Sequence, residues 1–204
     1  MEHSLHSSSN HSNQEKLIYF LRSTNLVSAT TAREIASNFR AKHINKHDFH
    51  LQEGQILNEY LFLDTGFMRA FAHNTEGNEV TTNFYAQNQV VFEVSSFFNR
   101  IPSRENIQAL TNCSGWYITY EQVNKLFHSI PEFREFGRSM LVQGFSALKI
   151  RMLSMITDTA EERYTKLLHT NPEIFQNASL KTIASYLGIT DTSLSRIRKE
   201  FSRK

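Results

Sequence analysis

The spacing of hydrophobic residues changes twice along the chain. Leu17, Ile18 and Leu21, and then Ile35 and Phe39, predict two short helices before the first strand. Over residues 42–120, hydrophobic and polar residues alternate in short runs, which predicts strands. The predicted strands lie at 44–51, 55–64, 67–73, 79–85, 89–92, 107–110 and 115–119, with turns at Gly54, Gly66 and Gly77. A series of hairpins of this length indicates a small β-barrel or jelly roll.

Two short helical patterns meet at Gly188 near the C-terminus. Ile183, Ala184 and Leu187 precede the glycine, and Ile189, Leu194 and Ile197 follow it. The small Ala184 allows two helices to cross closely, and Gly188 can adopt the positive φ that a sharp turn demands. Ser179 and Thr190 stand where each helix needs an N-cap. The pattern predicts a helix-turn-helix, although an ordinary helical hairpin with a basic end has the same hydrophobic positions.

The outward positions of this unit carry DNA-binding chemistry. Arg196 lies one turn into the second helix, where it is expected to read the edge of a guanine, with Thr192 and Ser193 beside it. Cations for phosphates are expected from Arg198, Lys199, Arg203 and Lys204. Asp191 either accepts a hydrogen bond from a cytosine amino group or only caps the helix. The candidate DNA-binding residues are Ser179, Thr190, Asp191, Thr192, Ser193, Ser195, Arg196, Arg198 and Lys199.

A long helical pattern begins at Pro131 and continues to about Thr157. Its hydrophobic residues alternate steps of four and three, as in the seam of a two-helix coiled coil. The seam consists of Leu141, Phe145, Leu148, Met152 and Met155. A dimer helix is expected, because a helix-turn-helix normally works on two half-sites. A helix that packs on its own β-domain would explain the same pattern.

The predicted class is α+β, with an N-terminal β-roll, a long dimerisation helix and a C-terminal helix-turn-helix domain. The expected segments are a disordered tail at 1–13, a β-roll sensor domain at 14–130, the dimerisation helix at 131–157 and the DNA-binding domain at 158–204. Asp158 and Thr159 provide capping signals for a supporting helix, which Asn171 and Pro172 end.

Composition adds little to this picture. The formal net charge of +2 over 204 residues does not identify a nucleic-acid-binding protein, so the argument rests on local clustering at the C-terminus. A single cysteine, Cys113, excludes an intramolecular disulfide and an iron–sulfur cluster with four thiolates. No signal-peptide core and no long apolar run is seen, so a cytoplasmic location without membrane contact is expected.

The order of these parts resembles the Crp/Fnr family of bacterial transcription regulators, over roughly residues 15–204. The strongest local matches are Ile-Ala-Ser-Tyr-Leu-Gly-Ile-Thr at 183–190 and Leu-Ser-Arg-Ile-Arg-Lys at 194–199. These runs look like the Bacteroidetes branch, as do 66–69, 102–106 and 161–164. The resemblance implies a homodimer that binds a palindromic operator in double-stranded DNA. It would regulate transcription by contacting RNA polymerase or by blocking it.

The family's cyclic AMP cassette matches poorly. Members that bind cyclic AMP use a Gly-Glu pair for the ribose and an Arg followed by Ser or Thr for the cyclic phosphate. Phe92-Glu93 and Ser103-Arg104 stand at those places, and they are the candidate effector pocket. Ala147-Leu148 replace the Thr-Ser purine contact. We therefore expect no dependence on cyclic AMP and no cofactor, and the sequence does not identify an effector. If Phe92, Phe97 and Trp116 fill the pocket of the β-roll, the protein would bind DNA without any ligand.

Other chemistry finds little support in the sequence. On one extended strand, His43 and His47 would share a face and His50 would not, so no metal site is expected. His3, His6 and His11 are expected to be solvated in the tail. Composition does not exclude a haem-binding site, but no pair of candidate haem ligands stands out. The sequence contains no nucleophile motif and no glycine-rich phosphate-binding loop, so an enzyme is not expected. The alternative function is a ligand- or cyclic-nucleotide-binding sensor module whose C-terminal helices contact a protein rather than an operator.

Overall fold

Two short helices precede the sheets in the computed structural model, which describes residues 14–201. They are α1 (Glu15–Arg22) and α2 (Ala29–Ala36), and both were expected from the helical spacing. Leu17 and Leu21 of α1 and Ile35 of α2 are buried, because they form the hydrophobic face of each helix. The predicted disordered tail at 1–13 lies outside the described residues.

Eight strands in the described part of the chain form two antiparallel sheets. The first sheet has the order β1-β8-β3-β6, and the second has the order β2-β7-β4-β5. The strands are β1 (Arg40–Ile44), β2 (Phe49–Leu51), β3 (Glu59–Thr65), β4 (Met68–His73), β5 (Glu79–Tyr85), β6 (Gln89–Val91), β7 (Asn106–Ala109) and β8 (Cys113–Thr119). This arrangement confirms the predicted jelly-roll-like β-domain in an α+β chain.

The predicted strand at 44–51 is wrong, because the chain crosses from one sheet to the other within it. β1 ends at Ile44 in the first sheet, and β2 begins at Phe49 in the second. Between them His47 has a φ of 75°, and its N–H donates to Ala109 O at 2.8 Å. The face argument for His43, His47 and His50 therefore does not apply, since the three histidines do not share one strand.

Two helices of the β-domain were missed in the sequence. The first, α3 (Val94–Asn99), begins after Glu93, and the second, α4 (Tyr120–Ser129), continues directly from β8. Thr119 and Gln122 form a capping box at the start of α4. That Thr-x-x-Gln pattern was a readable signal for a helix start.

The long helix α5 (Pro131–Thr157) has two halves with different surroundings. Phe133 and Phe136 in its first turns are buried against the β-domain, where Phe136 meets Phe20 with ring centroids 5.5 Å apart. From residue 141 to residue 150 every side chain is exposed in the single chain. The first half of α5 therefore completes the core of the β-domain, and the second half leaves it.

The C-terminal unit has four helices within the described residues. They are α6 (Ala160–Thr170), α7 (Ile174–Asn177), α8 (Leu180–Leu187) and α9 (Asp191–Phe201). Thr159 caps α6 through a capping box with Glu162, as predicted. The hydrophobic cluster of this unit also includes Phe67, Phe84 and Ala86 from the β-domain. The C-terminal unit thus packs directly on the second sheet.

Candidate DNA interface and effector region

Helices α8 and α9 meet at Gly188, as the sequence predicted. Gly188 adopts φ 67° at the end of α8, and its N–H satisfies carbonyls of the last turn. A Cβ at this position would lie 2.5 Å from Met155 Cε, so Met155 of α5 lies against the turn. The backbone angle favours glycine here, and a Cβ would in addition make the flexible end of Met155 move.

Helix α9 buries one face and exposes the other. Leu194 and Ile197 are buried against α8, where Ile183, Ala184 and Leu187 are buried too. The candidate residues on the opposite surface are exposed, except that Ser193 is half-buried: Asp191, Thr192, Ser195, Arg196, Arg198 and Lys199. Arg203 and Lys204 lie outside the described residues. The hydrophobic spacing therefore placed the candidate DNA-binding face correctly, and its contacts with DNA stay a prediction.

The hydroxyls of Ser179 and Thr190 already have partners. Ser179 Oγ accepts from Thr182 N at 3.1 Å and caps α8. Thr190 Oγ1 accepts from Ser193 N at 3.2 Å and lies 2.9 Å from Ser193 Oγ. Both residues are exposed. Each hydroxyl therefore caps the first turn of its helix, and its contact with a phosphate stays a prediction.

The predicted seam on α5 is exposed along its whole length. Phe145 is 70% exposed and Leu148 is 63% exposed, and Leu141, Met152 and Met155 are exposed as well. Adjacent residues that the sequence reasoning did not select widen this surface, namely Val142, Ile150, Leu153 and Ile156. A contiguous apolar surface of this kind on a single chain is typical of a protein–protein contact.

The candidate effector residues have separate local roles. Glu93 caps α3, since its carboxylate accepts from Ser95 N at 3.0 Å and from Ser96 N. Phe92 packs against Tyr60 and Phe97 with ring centroids 5.2 and 6.2 Å away.

Ser103 and Arg104 precede β7 and differ in exposure. Ser103 is buried, and its Oγ donates to Glu105 O at 2.9 Å, whereas Arg104 is exposed. Burial raises the pKa of the Glu105 carboxyl, and the Glu93 carboxylate adds to the increase. The Arg151 guanidinium opposes this increase, so the region contains charges of both signs.

Comparisons with known proteins give the family context. Residues 41–129 match the family model described as "Cyclic nucleotide-binding domain". FixK2 from Bradyrhizobium japonicum is similar over 81% of this chain and 85% of its own, with 18% identity and a TM-score of 0.71. A transcriptional regulator of the Crp/Fnr family from Eubacterium rectale is similar over 90% of this chain and 88% of its own, with 16% identity and a TM-score of 0.69.

The chain has the Crp/Fnr fold. Another similar structure is the regulator CLP from Xanthomonas campestris, described as responsive to c-di-GMP, which is 15% identical over 86% of this chain and 92% of its own, with a TM-score of 0.68. No curated protein matches the sequence. The predicted resemblance to Crp/Fnr regulators is confirmed for the fold, and the Bacteroidetes branch stays a prediction.

The Crp/Fnr architecture here includes an interdomain contact that was not foreseen. Helix α8 covers β5, the edge strand of the second sheet, and Thr81 N donates to Ser185 Oγ at 3.1 Å. Arg151 of α5 donates to Thr82 O and to Tyr186 O, the latter at 3.2 Å, and its guanidinium lies 4.0 Å from the Tyr186 ring centroid. Only tertiary structure brings Thr81, Arg151 and Tyr186 together, so no local sequence signal could reveal them.

Other chemistry is reported for the described residues only. No group of three or more His, Cys, Asp or Glu side chains in residues 14–201 could hold a metal ion. Burial, with a smaller contribution from Lys42, lowers the pKa of His50 to about 3. Within the same range, no helix combines the length and hydrophobicity of a membrane-spanning segment.

Proposed function

We propose that the protein is a transcription regulator that binds a palindromic operator as a homodimer and needs no cyclic AMP. The observation that carries this proposal is the surface of α9. Its inner face is fixed on α8 by Leu194 and Ile197, and its outer face presents Arg196 and Lys199 to solvent. This is the geometry of a recognition helix in a major groove. The known regulators with the same fold support the proposal.

Arg196 reads a base edge in this proposal. A guanidinium can donate two parallel hydrogen bonds to guanine O6 and N7, which distinguishes guanine from the other bases. Thr192, Ser193 and Ser195 lie beside it on the first turns. Lys199 and Arg198 contact phosphates, and these contacts raise affinity for every sequence equally.

The N-terminal caps fix the register of the helix on the backbone. Ser179 and Thr190 cap the two helices and are exposed, and a phosphate oxygen beside them would accept from the remaining first-turn N–H groups. Asp191 lies in the first turn of α9, where its negative charge interacts favourably with the helix dipole. Its carboxylate can also accept a hydrogen bond from a cytosine amino group.

The exposed half of α5 supports a homodimer. Phe145, Leu148 and Met152 form a heptad seam, and the identical seam of a second copy matches it in spacing. Two such chains would place two recognition helices on one face of DNA, about 34 Å apart, which is one helical turn. The operator would then have two-fold symmetry.

Independence from cyclic AMP is supported by the chemistry of the β-domain. Glu93 is engaged as a helix cap, and the Ser103 hydroxyl is engaged with the Glu105 backbone. The Glu93 carboxylate would repel a phosphate, and Ser103 stands at the position where the family has its arginine. RNA polymerase contact remains part of the proposal only through the family resemblance.

Selection of binding sites from random duplex DNA tests the proposal. The purified protein is used without any nucleotide at one fixed salt concentration, because affinity for DNA depends strongly on salt. The expected result is a palindrome with half-sites about one helical turn apart. Arg138→Ala, which changes an exposed arginine on α5, is the control and should select the same sequence. Recovery of no sequence, or recovery only after cyclic AMP is added, would contradict the proposal.

A further inference from the structure

A cavity of about 570 Å³ lies where the β-domain, α5 and the helix-turn-helix unit meet. Phe84 and Val90 line it from the β-domain, Met140 lines it from α5, and Ile174 and Tyr186 line it from the C-terminal unit. The cavity lies between the two hydrophobic clusters of the molecule. Its volume is within the range of roughly 300–1,000 Å³ that is usual for small-molecule sites.

The wall of this cavity is aromatic and almost uncharged. Phe84, Phe92, Phe98 and Phe127 contribute rings, while other lining residues contribute uncharged amides. These amides belong to Asn83, Asn88, Gln89, Gln143 and Asn171. The described residues that line the cavity include one carboxylate, Glu173, and no lysine or arginine. An anion would thus be desolvated without a countercharge, which is strongly unfavourable.

The cavity is distinct from the place where the family binds a cyclic nucleotide. Glu93, Ser103 and Arg104 are not among its lining residues, and only Phe92 is shared with that region. A site without cations does not suit a nucleotide phosphate. It suits a neutral molecule with a large apolar surface and a few groups that can hydrogen-bond to amides.

We propose that this cavity binds a neutral, largely apolar small molecule, and that its occupancy shifts the placement of the helix-turn-helix unit. The shift in placement rests on the proposed DNA-binding function, whereas the binding itself does not. Phe84 of β5 and Tyr186 of α8 pack against each other with ring centroids 5.0 Å apart, so the two domains supply adjoining walls of the cavity. A ligand that contacts both walls binds better to one arrangement of the domains than to another, and it shifts their equilibrium by that difference.

Nile red, a neutral dye that fluoresces in apolar surroundings, is the probe for this site. Titration of the full-length dimer with the dye gives the affinity and the number of sites per protomer. Met140→Trp and Val90→Phe add volume from two different walls, and Met140→Ala removes volume at one of the same positions. Val94→Trp is the matched control, because Val94 is 50% exposed and does not line the cavity. Circular dichroism shows whether each variant is folded.

The expected result is one saturable site per protomer that both filling variants weaken by about tenfold or more. Met140→Ala and Val94→Trp should keep the site, and excess cyclic AMP should not displace the dye. Absence of saturable binding, or equal binding by folded wild type and both filling variants, would overturn the proposed site.

Operator affinity measured with and without saturating dye tests the coupling separately. A change of about threefold or more is expected for the wild type and not for Met140→Trp. Dye binding that leaves operator affinity unchanged would overturn the coupling and leave the site itself intact. Dye binding by a protein that selects no operator at all would instead contradict the DNA-binding function.

Discussion

Replacement of Gly188 by alanine tests how the turn of the helix-turn-helix is built. Gly188 has φ 67°, a left-handed conformation in which an L-residue with a Cβ is disfavoured by about 1–2 kcal/mol. The new Cβ would also lie 2.5 Å from Met155 Cε. Since Met155 is 40% exposed and its end is flexible, it can rotate away at about 0.5–1.5 kcal/mol. Gly188→Ala should therefore lower the free energy of unfolding by about 1.5–3.5 kcal/mol.

Gly77 provides a matched control for the backbone contribution. It has φ 79°, and a Cβ built there meets nothing within 4 Å. Gly77→Ala should therefore show only the left-handed penalty of about 1–2 kcal/mol. The difference between the two variants measures the contact with Met155, and Gly188→Ala in a Met155→Ala background should lose that difference.

Urea denaturation at one fixed protein concentration measures these free energies, because the stability of a dimer depends on concentration. Operator affinity of Gly188→Ala should fall as well, since the turn orients the recognition helix. If Gly188→Ala were as stable as the wild type, the inferred requirement for glycine would be refuted. If the Met155→Ala background left the excess penalty unchanged, the inferred contact would be refuted and the backbone argument would stand.

Three further predictions follow from the same structure. Arg196→Ala should lose about 1–3 kcal/mol of operator affinity and relax preference at one base position, whereas Lys199→Ala should weaken all sequences alike; binding assays on operator variants distinguish them. Phe145→Asp should weaken the proposed dimerisation about 100-fold or more, because Phe145, which is 70% exposed in the single chain, would lie in the seam of both copies; sedimentation measures this, with the exposed Val94→Asp as control. Burial lowers the pKa of His50 to about 3, so its contribution to the free energy of unfolding should be fully present above pH 6.5 and fall by about 1 kcal/mol per pH unit below that. Denaturation experiments on His50→Gln should lack this pH dependence, whereas those on the exposed His43→Gln should retain it.

The β-domain keeps the fold of a cyclic nucleotide-binding domain without the residues that hold a cyclic phosphate. Glu93 retains the acid of the family motif, yet here it caps α3. The neighbouring Glu105 adds a second carboxyl, and Arg104 is exposed. The match to the cyclic nucleotide-binding domain concerns the fold, and the proposed independence from cyclic AMP rests on these side chains.

Much of the local structure could be predicted from the sequence. Ser179, Gly188 and Thr190 mark the ends of the last two helices through capping and φ preferences, which depend only on neighbouring residues. The spacing of Leu194 and Ile197 identified the buried face of α9, and the heptad seam identified the exposed surface of α5. Such periodic patterns are readable because one side of an element must be apolar.

Sheet membership and interdomain contacts were decided only by the tertiary structure. Residues 44–51 have strand-like composition, but the chain turns at His47 because β1 and β2 pair with strands far away in sequence. Thr81, Arg151 and Tyr186 come together from three separate elements. The cavity between the domains likewise exists only where the β-domain, α5 and α8 meet. Local sequence determines helices, caps and faces, whereas long-range packing determines which of those faces meet.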